Sequence, residues 1–102
     1  MKFAYILVGV SVLATNPAFA SSTLATQKGC LACHSTDKKM VGPAYQEIAQ
    51  KYADQKNAKA DLAKSIKSGG SGKYGPVPMP PQPALSDADA ETLAVWVLGG
   101  AK

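Results

Sequence analysis

The sequence predicts a single all-α domain of about four helices. Apolar residues recur at helical spacing in three separate segments, no stretch reads as a strand, and Gly-Pro and Gly-Gly pairs punctuate the helical runs. With 102 residues there is room for one domain, and 46% hydrophobic content is that of a globular chain. No internal repeat is present.

Taken in order, residues 1–20 stand apart from the rest. Lys2 gives a short positive start, Phe3 to Leu13 are apolar, Pro17 breaks the run, and Ala18-Phe19-Ala20 follows. Small residues at the first and third places of that triplet suit a signal peptidase, so residues 1–20 are expected to be a cleaved signal peptide. The apolar core is too short to span ~30 Å of hydrocarbon as a helix, so no stable membrane insertion is expected. Residues 21–102 then form the mature domain, exported to a bacterial periplasm.

The first helix is expected over Thr23 to Cys33, capped by Ser22 or Thr23. Gly42-Pro43 breaks the chain, and Pro43 suits the first turn of the next helix. There Tyr45, Ile48, Ala49 and Tyr52 fall at i, i+3, i+4 and i+7, one apolar stripe. A third helix is expected over Ala58 to Ser68, where Ala58, Leu62 and Ile66 recur and Gly69-Gly70 stops it. The last begins at Ser86, with Asp89 placed as in a capping box, and buries Ala90, Leu93, Ala94 and Val97.

Between the last two helices, Gly69 to Leu85 hold five of the seven prolines. A structureless run above ~12 to 15 residues in a compact domain is usually functional or disordered. Here Pro76, Pro78, Pro80, Pro81 and Pro83 stiffen it, and Met79 stands in its middle.

Charge and residue counts exclude several functions. There is no arginine, and the net charge is only +4, which leaves little to grip nucleic acid. A single histidine rules out any site that needs two imidazoles. Cys30-Leu31-Ala32-Cys33-His34 has the spacing of c-type haem attachment, in which each thiol adds to one vinyl group and His34 follows as an iron ligand. A thioredoxin-like pair or half a zinc site share the Cys-x-x-Cys core. No βαβ pattern surrounds it, and no further Cys or His completes a zinc shell.

The second iron ligand is then a methionine, a lysine or nothing. Met40 lies six residues after His34, too close to wrap the porphyrin edge with ease. Met79, in the proline-stiffened loop, is the candidate, its alternative being a gap-filling side chain.

The chain resembles the small bacterial class I cytochromes c, nearest the c-five-fifty-one group. The likeness rests on Gly29-Cys30-Leu31-Ala32-Cys33-His34, Val41-Gly42-Pro43-Ala44-Tyr45, Ile66-Lys67-Ser68-Gly69, Gly75-Pro76-Val77-Pro78-Met79-Pro80-Pro81 and Leu93-Ala94-Val95-Trp96-Val97-Leu98. It implies a cytochrome c fold wrapped around one covalently attached haem c, with thioether links at Cys30 and Cys33 and axial ligands His34 and Met79. It also implies a Pro43 carbonyl that accepts the free ring N–H of His34. Two departures concern a haem propionate: Tyr74 stands where relatives have Trp, and Ser65 where they have a basic residue. Gln82 replaces the Asn common beside the ligand methionine.

The expected function is periplasmic single-electron transport, without enzymatic activity. The partners implied are redox proteins such as a nitrite reductase, peroxidase or terminal oxidase, met by a monomer. The alternatives are a haem enzyme or gas sensor in which Met79 dissociates, and a thiol oxidoreductase. Leu24, Leu31, Pro43, Tyr45, Ile48, Leu62, Ile66, Leu93 and Val97 are expected in the core or haem wall, with Trp96 read as helix packing ahead of haem wall. Lys28, Lys38, Lys39 and Lys73 flank the site, whereas Lys51, Lys56, Lys59 and Lys64 are read as ordinary surface.

Overall fold

The computed structural model describes residues 8–9 and 17–102. Most of the expected signal peptide therefore lies outside the described residues. Four helices are present among them: α1 (Pro17–Gln27), α2 (Tyr45–Tyr52), α3 (Ala58–Ser68) and α4 (Asp87–Leu98). Among the described residues, the only β-type pairing is an isolated antiparallel bridge between Gly70 and Met79.

α4 is the centre of the packing and touches α1, α2 and α3. Its inward face carries Ala90, Leu93, Ala94 and Val97, which meet Ala25 of α1, Tyr45, Ile48 and Tyr52 of α2, and Leu62 and Ala63 of α3 in one cluster. Ala25, Ala90 and Ala94 are all fully buried. Side chains this small let helix axes approach closely, whereas a larger residue there would strain the packing.

Local chemistry explains most of the helix bounds. Ser86 is extended, and its hydroxyl accepts the Asp89 N–H at 3.1 Å, so the expected cap is present. Asp87 and Asp89 put negative charge in the first turn, where the helix dipole favours it. α3 has the expected bounds and ends at Gly69, whose φ of 66° lies in the left-handed region open to glycine.

Several expectations need correction. The first helix is not Thr23–Cys33: α1 ends at Gln27, and Cys30–Ala32 is a separate 3-10 turn. The helix also begins upstream of Ser22 and Thr23, so neither caps it. Pro43 stands ahead of α2, whose cap is Ala44, not within its first turn. Leu31 is 41% exposed and so not core. Trp96 packs on the core cluster as expected, but it also lines the large cavity described below.

Candidate haem site

Helices α2, α3 and α4, the 3-10 turn and the proline-rich loop enclose a cavity of about 380 Å³. Cys30, Cys33, His34, Pro43, Tyr74 and Met79 all line it, so the residues singled out from sequence share one site. Met40 is 48% exposed and outside that lining.

The attachment segment is built by tight backbone turns. The Cys33 and His34 amides both donate to the Cys30 carbonyl, at 3.2 and 3.0 Å, which draws the two thiols and the imidazole together. The Gly42 amide donates to the Cys33 carbonyl at 2.8 Å, and the Tyr45 amide to that of Ser35 at 2.9 Å. These bonds fold residues 35–44 back beneath the histidine. Burial pushes the Cys30 thiol above its ordinary range and nearby Cys33 adds to this, while a hydrogen bond from its own backbone opposes both. A reactive thiol needs the opposite shift.

His34 is held on three sides. Nδ1 lies 2.8 Å from the Pro43 carbonyl. A carbonyl only accepts, so Nδ1 carries the proton and Nε2 keeps a free lone pair, the form that binds a metal. The ring stacks on Tyr45, with centroids 5.4 Å apart and planes 24° apart. Gly42 supports the remaining side, where a Cβ would stand 2.6 Å from His34 Cε1.

Met79 is fixed through its backbone. Its amide donates to the Gly70 carbonyl at 2.8 Å, and its carbonyl accepts the Gly70 amide at 3.1 Å. A Cβ on Gly69 would collide with that same carbonyl, so glycine is needed there for space as well as for φ. Further along, the Gln82 amide donates to the Lys67 carbonyl at 2.8 Å, tying the loop's far end to α3. Here Gln82 acts through its backbone.

The cavity wall carries an unusual polar feature. Three side-chain atoms are buried without a partner: the Tyr45 and Tyr74 hydroxyls and Trp96 Nε1. All three residues line the cavity. Orphaned buried donors are costly, and each of these belongs to a residue of the cavity wall. Burial pushes the Tyr74 hydroxyl up to about 12, helped by Tyr52 and Glu47, so it remains a donor through the neutral range. Burial raises Tyr45 likewise, with Cys30 adding to the effect. Neither Trp96 nor Tyr45 was marked from sequence as a donor, because burial of a polar tip depends on tertiary packing.

Two thiols, an imidazole with one nitrogen free, a thioether and three unpartnered donors fit a large apolar cofactor with a metal centre and polar substituents. The described residues hold no cluster of His, Cys, Asp and Glu suited to a bare metal ion. Such a cavity, walled by short helices packed on α4, defines a class: a helical domain closed around a covalently attached macrocycle.

Comparison with known proteins gives the same answer. The cytochrome c family model matches residues 20–100. Cytochrome c-551 of Pseudomonas aeruginosa is 50% identical over 96 residues, covering 87% of this chain and 91% of the relative. Cytochrome c-552 of Hydrogenobacter thermophilus is 53% identical over 94 residues, covering 92% and 94%. The crystal structure of wild-type Nitrosomonas europaea cytochrome c552 matches with a TM-score of 0.75 at 50% identity, covering 76% of this chain and 96% of that one. The chain belongs to the cytochrome c family, among its small class I monohaem members, and its fold is the cytochrome c fold. Its cofactor is haem c, bound through the two cysteines the chain possesses, Cys30 and Cys33, and its role is that of a small electron carrier. Among the described residues, no helix is long and apolar enough to cross a membrane.

Proposed function

We propose that this protein is a periplasmic one-electron carrier, released from a signal peptide at residues 1–20, with His34 and Met79 as the axial ligands of its haem. The observation that carries this reading is the shared cavity: it gathers the two thiols, the metal-ready imidazole and Met79, and leaves Met40 outside. Pro43 orients His34 through Nδ1, and the Gly70 bridge sets the position of Met79.

When bound, haem c supplies the ferric–ferrous couple. The chain's own residues tune and protect it. The soft thioether of Met79 favours the ferrous state over what two imidazoles would give. The apolar wall of Ile48, Leu62, Ile66, Leu93 and Val97 lowers the local dielectric, which also disfavours the extra ferric charge. His34 and Met79 would together hold the iron and leave no position for oxygen or peroxide, which favours carrying electrons over catalysis. With haem bound, Tyr74 would donate from the wall to a haem propionate. The partners are redox proteins, a donor and an acceptor such as a nitrite reductase, peroxidase or terminal oxidase, and the carrier meets them as a monomer.

The visible spectrum of holoprotein from a periplasm with haem maturation tests this reading. Low-spin ferrous bands indifferent to carbon monoxide are expected, together with a ferric sulfur-to-iron charge-transfer band. Met79→Ala should abolish that band and lower the potential, while Met40→Leu retains it. A high-spin spectrum that responds to carbon monoxide would instead indicate a haem enzyme or gas sensor.

A further inference from the structure

Where the proline-rich loop crosses α2, two lysines and two tyrosines interlock. Lys73 Nζ donates to the Tyr52 hydroxyl at 2.7 Å and lies 3.9 Å from that ring's centroid. Lys51 Nζ donates to the Lys73 carbonyl at 2.5 Å and lies 4.6 Å from the Tyr74 ring centroid. Tyr52 is 2% exposed, so the Lys73 anchor is part of the core. Tyr52, Ser65, Lys73 and Tyr74 all line the large cavity.

The charges in this corner do not balance. Two ammonium groups gathered on neighbouring tyrosines repel each other. Among the described residues neither joins an ion pair; the ion pair present, Lys67 with Asp87, links α3 to α4. The groups facing Tyr74 are Tyr52, Glu47 and Lys51 from α2 and Lys73 from its own loop, while α3 contributes the neutral Ser65 to this wall. Two cations, one acid and a buried unpartnered hydroxyl make a corner suited to an anion. Ser65 brings no charge to it.

We propose that Lys51 and Lys73 form a clasp that fastens the ligand loop to α2 and supplies the positive charge facing a haem carboxylate. The clasp rests on the haem reading given above. Both lysines are positioning residues: they act on the iron through field and loop geometry, without touching it. Cationic charge here disfavours the ferric form and raises the potential. It also keeps the carboxylate ionised throughout the neutral range, so the potential of the wild type should be nearly flat with pH there.

The test is redox titration against pH of the holoprotein, for Lys51→Gln/Lys73→Gln and for Lys51→Arg/Lys73→Arg. The glutamine pair should have a lower potential at the alkaline end. Its potential should also fall with rising pH through the neutral range, as the carboxylate ionises there. Exchange of the Met79 and Gly72 amides, which bond the Gly70 and Gly75 carbonyls, should quicken. The arginine pair should keep the wild-type profile. Should the double glutamine variant load haem poorly, the single Lys51→Gln, which leaves the Lys73–Tyr52 bond in place, should show the same shifts in reduced size. A glutamine variant with the wild-type potential, profile and exchange overturns the clasp, as does an arginine pair that behaves like the glutamine pair. The ferric charge-transfer band is recorded on the same samples. Its absence from the wild type would overturn the ligand reading itself, whereas its presence with unchanged potentials removes the clasp alone.

Discussion

His34 leaves no room for a methyl group at Gly42, where a Cβ would stand 2.6 Å from Cε1 and 2.9 Å from Nδ1. Gly42→Ala must move either the ring or the backbone that precedes Pro43, and both displacements weaken the bond to the Pro43 carbonyl. Overpacking of this kind costs about 1–3 kcal/mol, so a chemical unfolding curve should shift accordingly, with the imidazole resonances of the holoprotein displaced. Tyr74 makes a second prediction at this scale. Its hydroxyl sits above the ordinary value of 10.0, at about 12, chiefly through burial and then through Tyr52 and Glu47. The folded state therefore holds this proton more tightly than the unfolded chain does. The associated stability is fully present below pH 10 and is lost as pH rises towards 12. Tyr45 shifts in the same direction, so Tyr74→Phe should remove part, not all, of the alkaline decline in melting temperature. An unchanged alkaline slope in the variant would refute the assignment.

Among the elements, α4 separates capping from packing. Ser86→Ala removes the acceptor of the Asp89 amide and should cost about 1 kcal/mol. Leu93→Ala, at a side chain only 3% exposed in the core cluster, should cost about 2–5 kcal/mol because the cavity left behind cannot fully collapse. Urea unfolding of both holoprotein variants checks the ordering. A larger loss for Ser86→Ala would mean that α4 is held by its end and not by its face. The start of α4 and both ends of α3 were legible in the sequence because a hydroxyl cap and a glycine pair act locally. The end of α1 carried a local signal that the expected span ran through: Gly29, two residues past Gln27, has a φ of 74° and stops the helix before its 3-10 segment. Cys30 and Cys33 were legible because their chemistry is carried by residue type and spacing, and the cavity brings His34 and Met79, marked from the same sequence, beside them. The lysine clasp was not, since it joins α2 to a loop residue whose crossing point no local pattern encodes.

Over the whole molecule, the arrangement of charge matters more than its total. Lys28, Lys38 and Lys39 are exposed, Lys39 borders the cavity, and Val41 and Val77, each 57% exposed, add apolar surface at the same rim. A basic fringe around an apolar rim steers encounter with an acidic patch on a redox partner. Lys38→Gln/Lys39→Gln should slow electron transfer to such a partner at low salt and leave the spectrum unchanged. The difference should vanish near physiological salt, where the Debye length is about 8 Å. Equal rates at every ionic strength would take these lysines out of recognition. The same cavity means that the domain should depend on its cofactor for a packed core. Tyr45, Ile48, Tyr52, Leu62, Leu93 and Val97 all line it, so removing haem opens a hole in the shared centre of α2, α3 and α4.

The two hydrogen bonds between Gly70 and Met79 pinch the chain into a closed ring that lies outside the four helices. α3 has already ended at Ser68, and α4 does not begin until Asp87, so parting the neck unwinds no helix. The net worth of those two bonds is about 0.5–1.5 kcal/mol each, well below the roughly 5–15 kcal/mol that holds a whole domain together. Tyr74 on the core cluster and the Lys73–Tyr52 bond add to that hold, so opening of the ring with the four helices in place is a sub-global event whose threshold the neck sets only in part. On the proposed ligation, the residence time of the Met79 sulfur would depend on the neck and its lysine fastening. Substitutions that toughen α1 to α4 would raise the melting temperature and leave that residence time as it was.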